Sequence, residues 1–198
     1  MADAGIGRLL IASLHQGIAE VAPSRLEFYE DWLSPTGLSG GRMGLAPLGA
    51  VLSFLHREPP PANLDIVNQA GISAAEWAHE GISGVRKGFI SRLPRGLRTR
   101  SGLRLGSALA RETISPSKVT WRLRNGRAEV QIRSAIFEYL RPSSSEPMRR
   151  YYAAAFVRCL RLCDIEASVD VDDEAEGCRL MIVVLGAPTR DQSLLDIA

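Results

Sequence analysis

Three cysteines are the first residues in this sequence able to carry chemistry: Cys159, Cys163 and Cys178. No Cys-x-x-Cys is present, and no histidine lies near them in sequence. Cys159 and Cys163 stand four apart, one helical turn. They read first as small buried hydrophobes, with a metal or redox pair as the alternative. An odd, sparse cysteine count argues against a disulfide framework and fits a reducing compartment. His79, two residues after Trp77, is the one histidine with a candidate role, an axial ligand for a haem or chlorin. The competing reading is a structural or exposed histidine. Gly37, Gly40, Gly41 and Gly44 invite a phosphate-loop reading. Their spacing fits neither Gly-x-Gly-x-x-Gly nor Gly-x4-Gly-Lys-Ser/Thr, and no strand pattern precedes them. Dinucleotide, flavin and iron–sulfur signatures are missing, as are Gly-x-Ser-x-Gly and His-Glu-x-x-His. These absences lean against an enzyme without deciding the matter, and no catalytic residue or metal site is assigned.

Charge is the other chemical feature. Residues 1–85 carry 4 basic and 9 acidic side chains, residues 86–150 carry 16 and 4, and residues 151–198 carry 4 and 9. The net charges are therefore −5, +12 and −5. A basic middle between acidic ends either folds against those ends or meets an anionic ligand or surface. Arg86, Lys87, Arg92, Arg95, Arg98, Arg100 and Arg104 supply most of it. They fall on two amphipathic segments, which read first as a solvated basic face, with weak contact to an anionic membrane, or to nucleic acid, as the alternatives. Nucleic acid ranks last, because Phe89 is the lone aromatic there and no recognition motif accompanies the charge.

The elements that must position these residues can be read from periodicity. Hydrophobic content is 45% and charged content 23% in 198 residues, enough for an ordinary core. A single domain over 1–185 is expected, with a helical part at 1–84, a helix-and-hairpin core at 85–185, and a frayed tail at 186–198. No apolar run is long enough to span a bilayer. The first residues carry an acid where a signal peptide wants positive charge, so a cytoplasmic protein is expected. Helices are predicted over 7–21, 24–33 (capped by Ser24), 46–56, 63–80 (with Gly71 a candidate bend), 85–93, 97–112 and 148–163. Pro59-Pro60-Pro61 reads as a stiff linker and 142–147 as a surface loop.

Asn125-Gly126 is a strong hairpin signal. A two-residue turn there pairs Leu123 with Ala128, Trp121 with Val130, and Val119 with Ile132, and sets Arg122 opposite Glu129. The returning strand is read through Phe137. A second hairpin follows: an alternating strand at 165–171, an acidic loop at 172–177, and an apolar strand at 178–185, expected to be covered on both faces. Helices, hairpin, helix, hairpin is an α+β layout, with a four-stranded antiparallel sheet packed against helices.

The string Arg150-Tyr151-Tyr152-Ala153-Ala154-Ala155-Phe156-Val157-Arg158-Cys159-Leu160 resembles the "YYAATF" helix of the 4-vinyl reductase domain, especially as found in bacteriochlorophyll-synthesis 4-vinyl reductases. Cys178-Arg179-Leu180 is similar to the Cys-Arg-Phe of that family's closing hairpin. Arg92-Leu93-Pro94-Arg95-Gly96-Leu97 resembles its proline-broken helix. The likeness covers roughly the last 110 residues. More distantly, the layout resembles TRAPP vesicle-tethering subunits and haem-based nitric-oxide-binding domains. It implies an often dimeric fold with an internal apolar pocket for a hydrocarbon, lipid-like molecule or tetrapyrrole. Some members bind zinc through cysteines. Here Arg149 and Asp170 stand at two of those positions and Cys178 alone remains, so zinc is not expected.

On this reading the chain is a non-catalytic module for a small hydrophobic ligand, working as carrier or sensor. The pocket is expected between the long helix, the sheet and the N-terminal helices. Trp77, Phe89, Trp121, Phe137, Tyr152 and Phe156 are its candidate lining, and His79 is a candidate axial or polar ligand. The alternatives are an accessory protein or reductase in chlorophyll vinyl reduction, and a TRAPP-like adaptor with a vestigial pocket.

Overall fold

The computed structural model describes residues 5–33, 42–57, 62–139, 142–174 and 177–185. Asn125 and Gly126 adopt φ of 47° and 72°, the left-handed pair that a type I′ turn demands. The turn joins β4 (Ser117–Arg124) to β5 (Arg127–Ser134). Leu123 faces Ala128, Trp121 faces Val130, and Val119 faces Ile132, the register that apolar alternation dictates. β6 (Ala167–Glu174) and β7 (Gly177–Val184) form the second hairpin. The sheet is antiparallel in the order β4-β5-β7-β6. Arg122 does stand opposite Glu129, yet Glu129 pairs with Arg179 on β7, 3.4 Å away. An inner strand offers its side chains partners on both flanks, and sequence spacing within one hairpin shows only one of them.

The protein is α+β. Its helices are α1 (Arg8–Val21), α2 (Leu26–Leu33), α3 (Leu45–Arg57), α4 (Ala62–Glu80), α5 (Gly84–Ser91), α6 (Arg95–Thr113), α7 (Ala135–Tyr139) and α8 (Pro142–Arg161). α8 is the central element, packed by α4, α6, α3 and β6. Tyr151, Tyr152, Ala155, Phe156, Cys159 and Leu160 are fully buried, while Arg150 and Arg161 keep one edge in water. Such a division is that of a helix apolar around most of its circumference.

Several expectations are corrected. α8 begins at Pro142, where a loop is expected, and carries Pro147 inside it; the forgone backbone bond is tolerated because the following turns are deeply packed. The chain leaves β5 at Ser134 and turns into α7, so Phe137 is helical. β6 extends to Glu174, past the point where an acidic loop is expected. β7 is covered on one face only: Cys178, Leu180, Ile182 and Val184 are buried, while Val183 is 37% exposed. Ser24 lies inside a 3-10 turn, Pro23–Arg25, rather than capping α2. A small sheet of order β2-β1-β3 joins β1 (Gly5–Gly7), β2 (Arg42–Met43) and β3 (Ile114–Ser115). Strands of two or three residues are too short to show a period. The readings at Gly37, Gly40 and Gly41, at Pro59-Pro60-Pro61 and over 186–198 lie outside the described residues.

Gly71 does not bend α4, which runs unbroken from Ala62 to Glu80. It marks close contact instead. A Cβ there would meet the backbone oxygen of Tyr151 in α8, and the Ala154 Cβ would be 3.1 Å away. Without a side chain, the two helix backbones approach more closely than ordinary packing permits. Gly106 of α6 gives the same access from the other side, and the ring of Phe156 fills the space its side chain would take.

Candidate functional site

The face of α1 carrying Arg8, Ile11, Ala12, His15 and Gln16 follows helical spacing of three and four residues, which aligns side chains in one stripe. Leu10, Leu14, Gly17 and Ile18 form the neighbouring stripe and are buried. The first stripe lines a cleft of about 650 Å³, closed by Leu33 at the end of α2 and Trp77 near the end of α4. Ile11 and Leu33 are buried at 4% and 2% exposure, and Trp77 is half-buried. Arg8 and His15 set basic groups on the same lining. The α1 N-terminus has no acidic residue in its first turn, so the positive end of the helix dipole lies beside Arg8. The Gln16 Nε2 donates to the Glu20 Oε1 at 2.5 Å, fixing the amide along the helix.

The expected lining residues are distributed over four environments. Trp77 lies on the cleft. Phe137, Tyr152 and Phe156 lie in the core: Phe137 and Tyr152 rings are 6.3 Å apart, and Phe156 packs on Gly106. Trp121, half-buried on edge strand β4, borders a smaller depression of about 380 Å³ with Thr120, Arg122, Glu129 and Gln131. Phe89 is 64% exposed on α5. His79 is not among the residues lining the cleft. Its pKa is lowered from the ordinary 6.5, first by burial and then by the charges of Lys87 and Arg158, with Glu80 opposing. Nearby, Arg158 donates from Nε and Nη2 to the Glu76 Oε1, at 3.0 and 2.5 Å. Arg8, Ile11, Ala12, His15, Gln16 and Leu33 escape the sequence reading. α1 is apolar on more than one face, so its periodicity marks the core stripe and hides the cleft stripe. A histidine seven residues after an arginine was the available signal.

The core tyrosines are held by their hydroxyls. The Tyr151 hydroxyl is 3.1 Å from the Ser13 Oγ, and that of Tyr152 is 3.1 Å from the Thr113 Oγ1. Burial pushes both phenol pKa values well above the ordinary 10.0, despite those hydrogen bonds. A raised folded pKa means the unfolded chain releases protons first. This contribution is therefore fully present below pH 10 and is lost as pH rises further. Chemical denaturation between pH 9 and pH 11 is expected to show falling stability, with the slope reduced in Tyr151→Phe. An equal slope in that variant would show that the phenol ionises freely in the fold.

Burial also raises the Cys159 thiol, followed by the effect of Cys163, and Cys163 is raised by burial and by Asp164, with Arg98 opposing. All three cysteines are buried as thiols rather than disulfides, which leaves them poor nucleophiles. Among the described residues, no group of three or more His, Cys, Asp or Glu is placed to hold a metal ion.

No protein-family model matches this chain. No curated protein matches it in sequence. Its fold is similar to the crystal structure of an unliganded Fe(II) H-NOX protein variant from K. algicida, with a TM-score of 0.60 at 7% identity, covering 90% of this chain and 96% of that one. At that identity the likeness is one of fold alone.

Proposed function

We propose that this chain is a non-catalytic binding or sensor domain for a small, mostly apolar molecule bearing an acidic group. The cleft between α1, the end of α2 and the end of α4 is its site. The observation that carries the reading is the lining itself: Trp77, Ile11 and Leu33 form apolar wall, and Arg8 and His15 stand on the same surface. A volume of about 650 Å³ falls within the span of small-molecule sites, which pair apolar lining with few polar groups. Arg8 and the positive end of α1 suit a carboxylate. Among the described lining residues there is no Ser, Cys, Lys, Asp or Glu, so those residues hold no nucleophile–base pair.

A tetrapyrrole with carboxylate arms belongs to this ligand class, and the fold likeness to an Fe(II) protein makes iron worth testing against the residues. A bare ion lacks a donor set among the described residues. His15, an imidazole on the cleft lining, is the side chain that would hold a porphyrin iron there. A part in vinyl reduction would rest on the helix resemblance around Tyr151-Tyr152 alone.

Protoporphyrin IX and dodecanoate serve as probes, read by tryptophan fluorescence and native mass spectrometry. At least one is expected to bind saturably and change the emission. Trp77→Phe should remove most of that change and Trp121→Phe should keep it. Ala12→Phe, which narrows the cleft from its rim, should weaken binding at least tenfold, about 1.4 kcal/mol. If neither probe binds, or Ala12→Phe binds as tightly as the parent, this assignment of the site is wrong.

A further inference from the structure

We infer that α5 and the first turns of α6 form an interfacial element that docks on an anionic lipid surface. This rests on surface features alone and does not require the cleft to be occupied. From residue 81 to residue 111 there are eight Lys and Arg and no Asp or Glu. Part of that charge serves the fold: Arg98 pairs with Asp164 at 3.3 Å, and Arg95 donates to the Leu185 carbonyl. Arg111 donates to the Val119 carbonyl at 3.3 Å. Arg86, Arg92, Arg100 and Arg104 are exposed and form no ion pair with described residues.

The same segment exposes its apolar side chains. Val85 is 88% exposed, Phe89 64% and Leu97 44%. No residue of α5 is buried. Val85 and Phe89 are four apart and so share one face of α5, with Arg86 and Arg92 flanking it. On α6, Leu97, Arg100 and Arg104 share one exposed arc by the same spacing.

Water gives neither group a reason to be there, since an apolar side chain on a free helix face gains nothing by exposure. Nucleic acid satisfies the arginines and leaves Val85, Phe89 and Leu97 unused. A second copy facing the same patch places like charge on like charge. An anionic bilayer interface satisfies both: phospholipid headgroups take the arginines, and the acyl boundary takes the apolar face. Among the described residues, no helix is long and apolar enough to cross a membrane, so the contact lies on the surface.

The test is sedimentation of the full chain with phosphatidylcholine vesicles, with and without phosphatidylserine. Binding is expected with phosphatidylserine only and should fall at least tenfold when salt rises from about 0.1 M to about 0.5 M, as screening shortens the reach of charge. Phe89→Trp should bind as the parent does, with an emission blue shift on the vesicles. Phe89→Ser and Arg86→Glu should each lower the bound fraction severalfold, and as substitutions at exposed positions they leave the fold intact. Equal binding to both vesicle types, binding to neither, or no blue shift from Trp at position 89 would each overturn the proposal. So would pelleting without vesicles, which assigns the face to a second copy. Duplex DNA bound equally by the parent and Phe89→Ser would assign the patch to nucleic acid and overturn it too.

Discussion

Phe156→Ala is expected to lower the free energy of unfolding by about 3–5 kcal/mol, the usual cost of truncating a buried phenylalanine. Phe156 is fully buried in α8. Its ring occupies the space beside Gly106 of α6, so close that a Cβ on that glycine would stand 2.7 Å from it. A glycine has no side chain to swing into the void, so the cavity stays open and the full penalty is felt. A domain stabilised by only about 5–15 kcal/mol would lose a large share of its margin. Gly106→Ala alone overpacks the contact, whereas Gly106→Ala with Phe156→Leu gives back some of the space. The pair is expected to be less destabilised than the sum of the two single changes, by about 0.5–3 kcal/mol. Urea denaturation of the parent, Phe156→Ala, Gly106→Ala, Phe156→Leu and the double variant measures both effects. A loss below about 1.5 kcal/mol for Phe156→Ala, or strict additivity, would mean the ring does not fill the groove on α6.

Gly71→Ala carries the second large effect, and its sign runs against helix propensity. In an exposed helix interior, replacing glycine by alanine gains about 1 kcal/mol. At Gly71 the new methyl would clash with the Tyr151 backbone oxygen of α8, and a backbone atom cannot rotate aside. α4 and α8 must separate, at a cost of about 3 kcal/mol once the lost contacts are included. Gly88 in α5 has no atom within 4 Å of its would-be Cβ, and Gly88→Ala there is expected to be neutral or stabilising by up to about 1 kcal/mol. Thermal melts of both variants test the contrast. Similar shifts in the two would show that the α4–α8 approach is not close. The consequence also reaches the site, because α4 carries Trp77 two turns further on. A displaced α4 should weaken probe binding in Gly71→Ala even under conditions where the variant remains folded.

The resemblance found in the Tyr151-Tyr152 helix has the same physical content. It marks a helix apolar around most of its circumference, and such a helix must lie at the centre of a fold. Its buried rings follow from that centrality. Tyr152 and Phe156, selected in the sequence as ligand-lining residues, contact Thr113, Phe137 and Gly106 of the protein itself. The same aromatic residue types serve a core and a pocket, and only their neighbours distinguish the two.

What this chain determined locally was legible in its order of residues. Asn125-Gly126 set the β4–β5 register because only positive φ closes that turn, and a one-residue slip would turn Val119, Trp121 and Leu123 away from the core. Apolar spacing placed α1, α3, α4, α6 and most of α8, because a helix repeats every 3.6 residues whatever surrounds it. Tertiary structure alone decided the rest. It brought three strands of two or three residues into one small sheet, moved the partner of Glu129 to Arg179, turned Gly71 from a candidate bend into a contact, and left one face of β7 open. It also put His15 and Trp77 on a shared cleft while sending Phe89 to the surface. Periodicity reports which side of an element is apolar. It carries no record of what lies across from that side, and a cleft is a property of the space between elements distant in sequence.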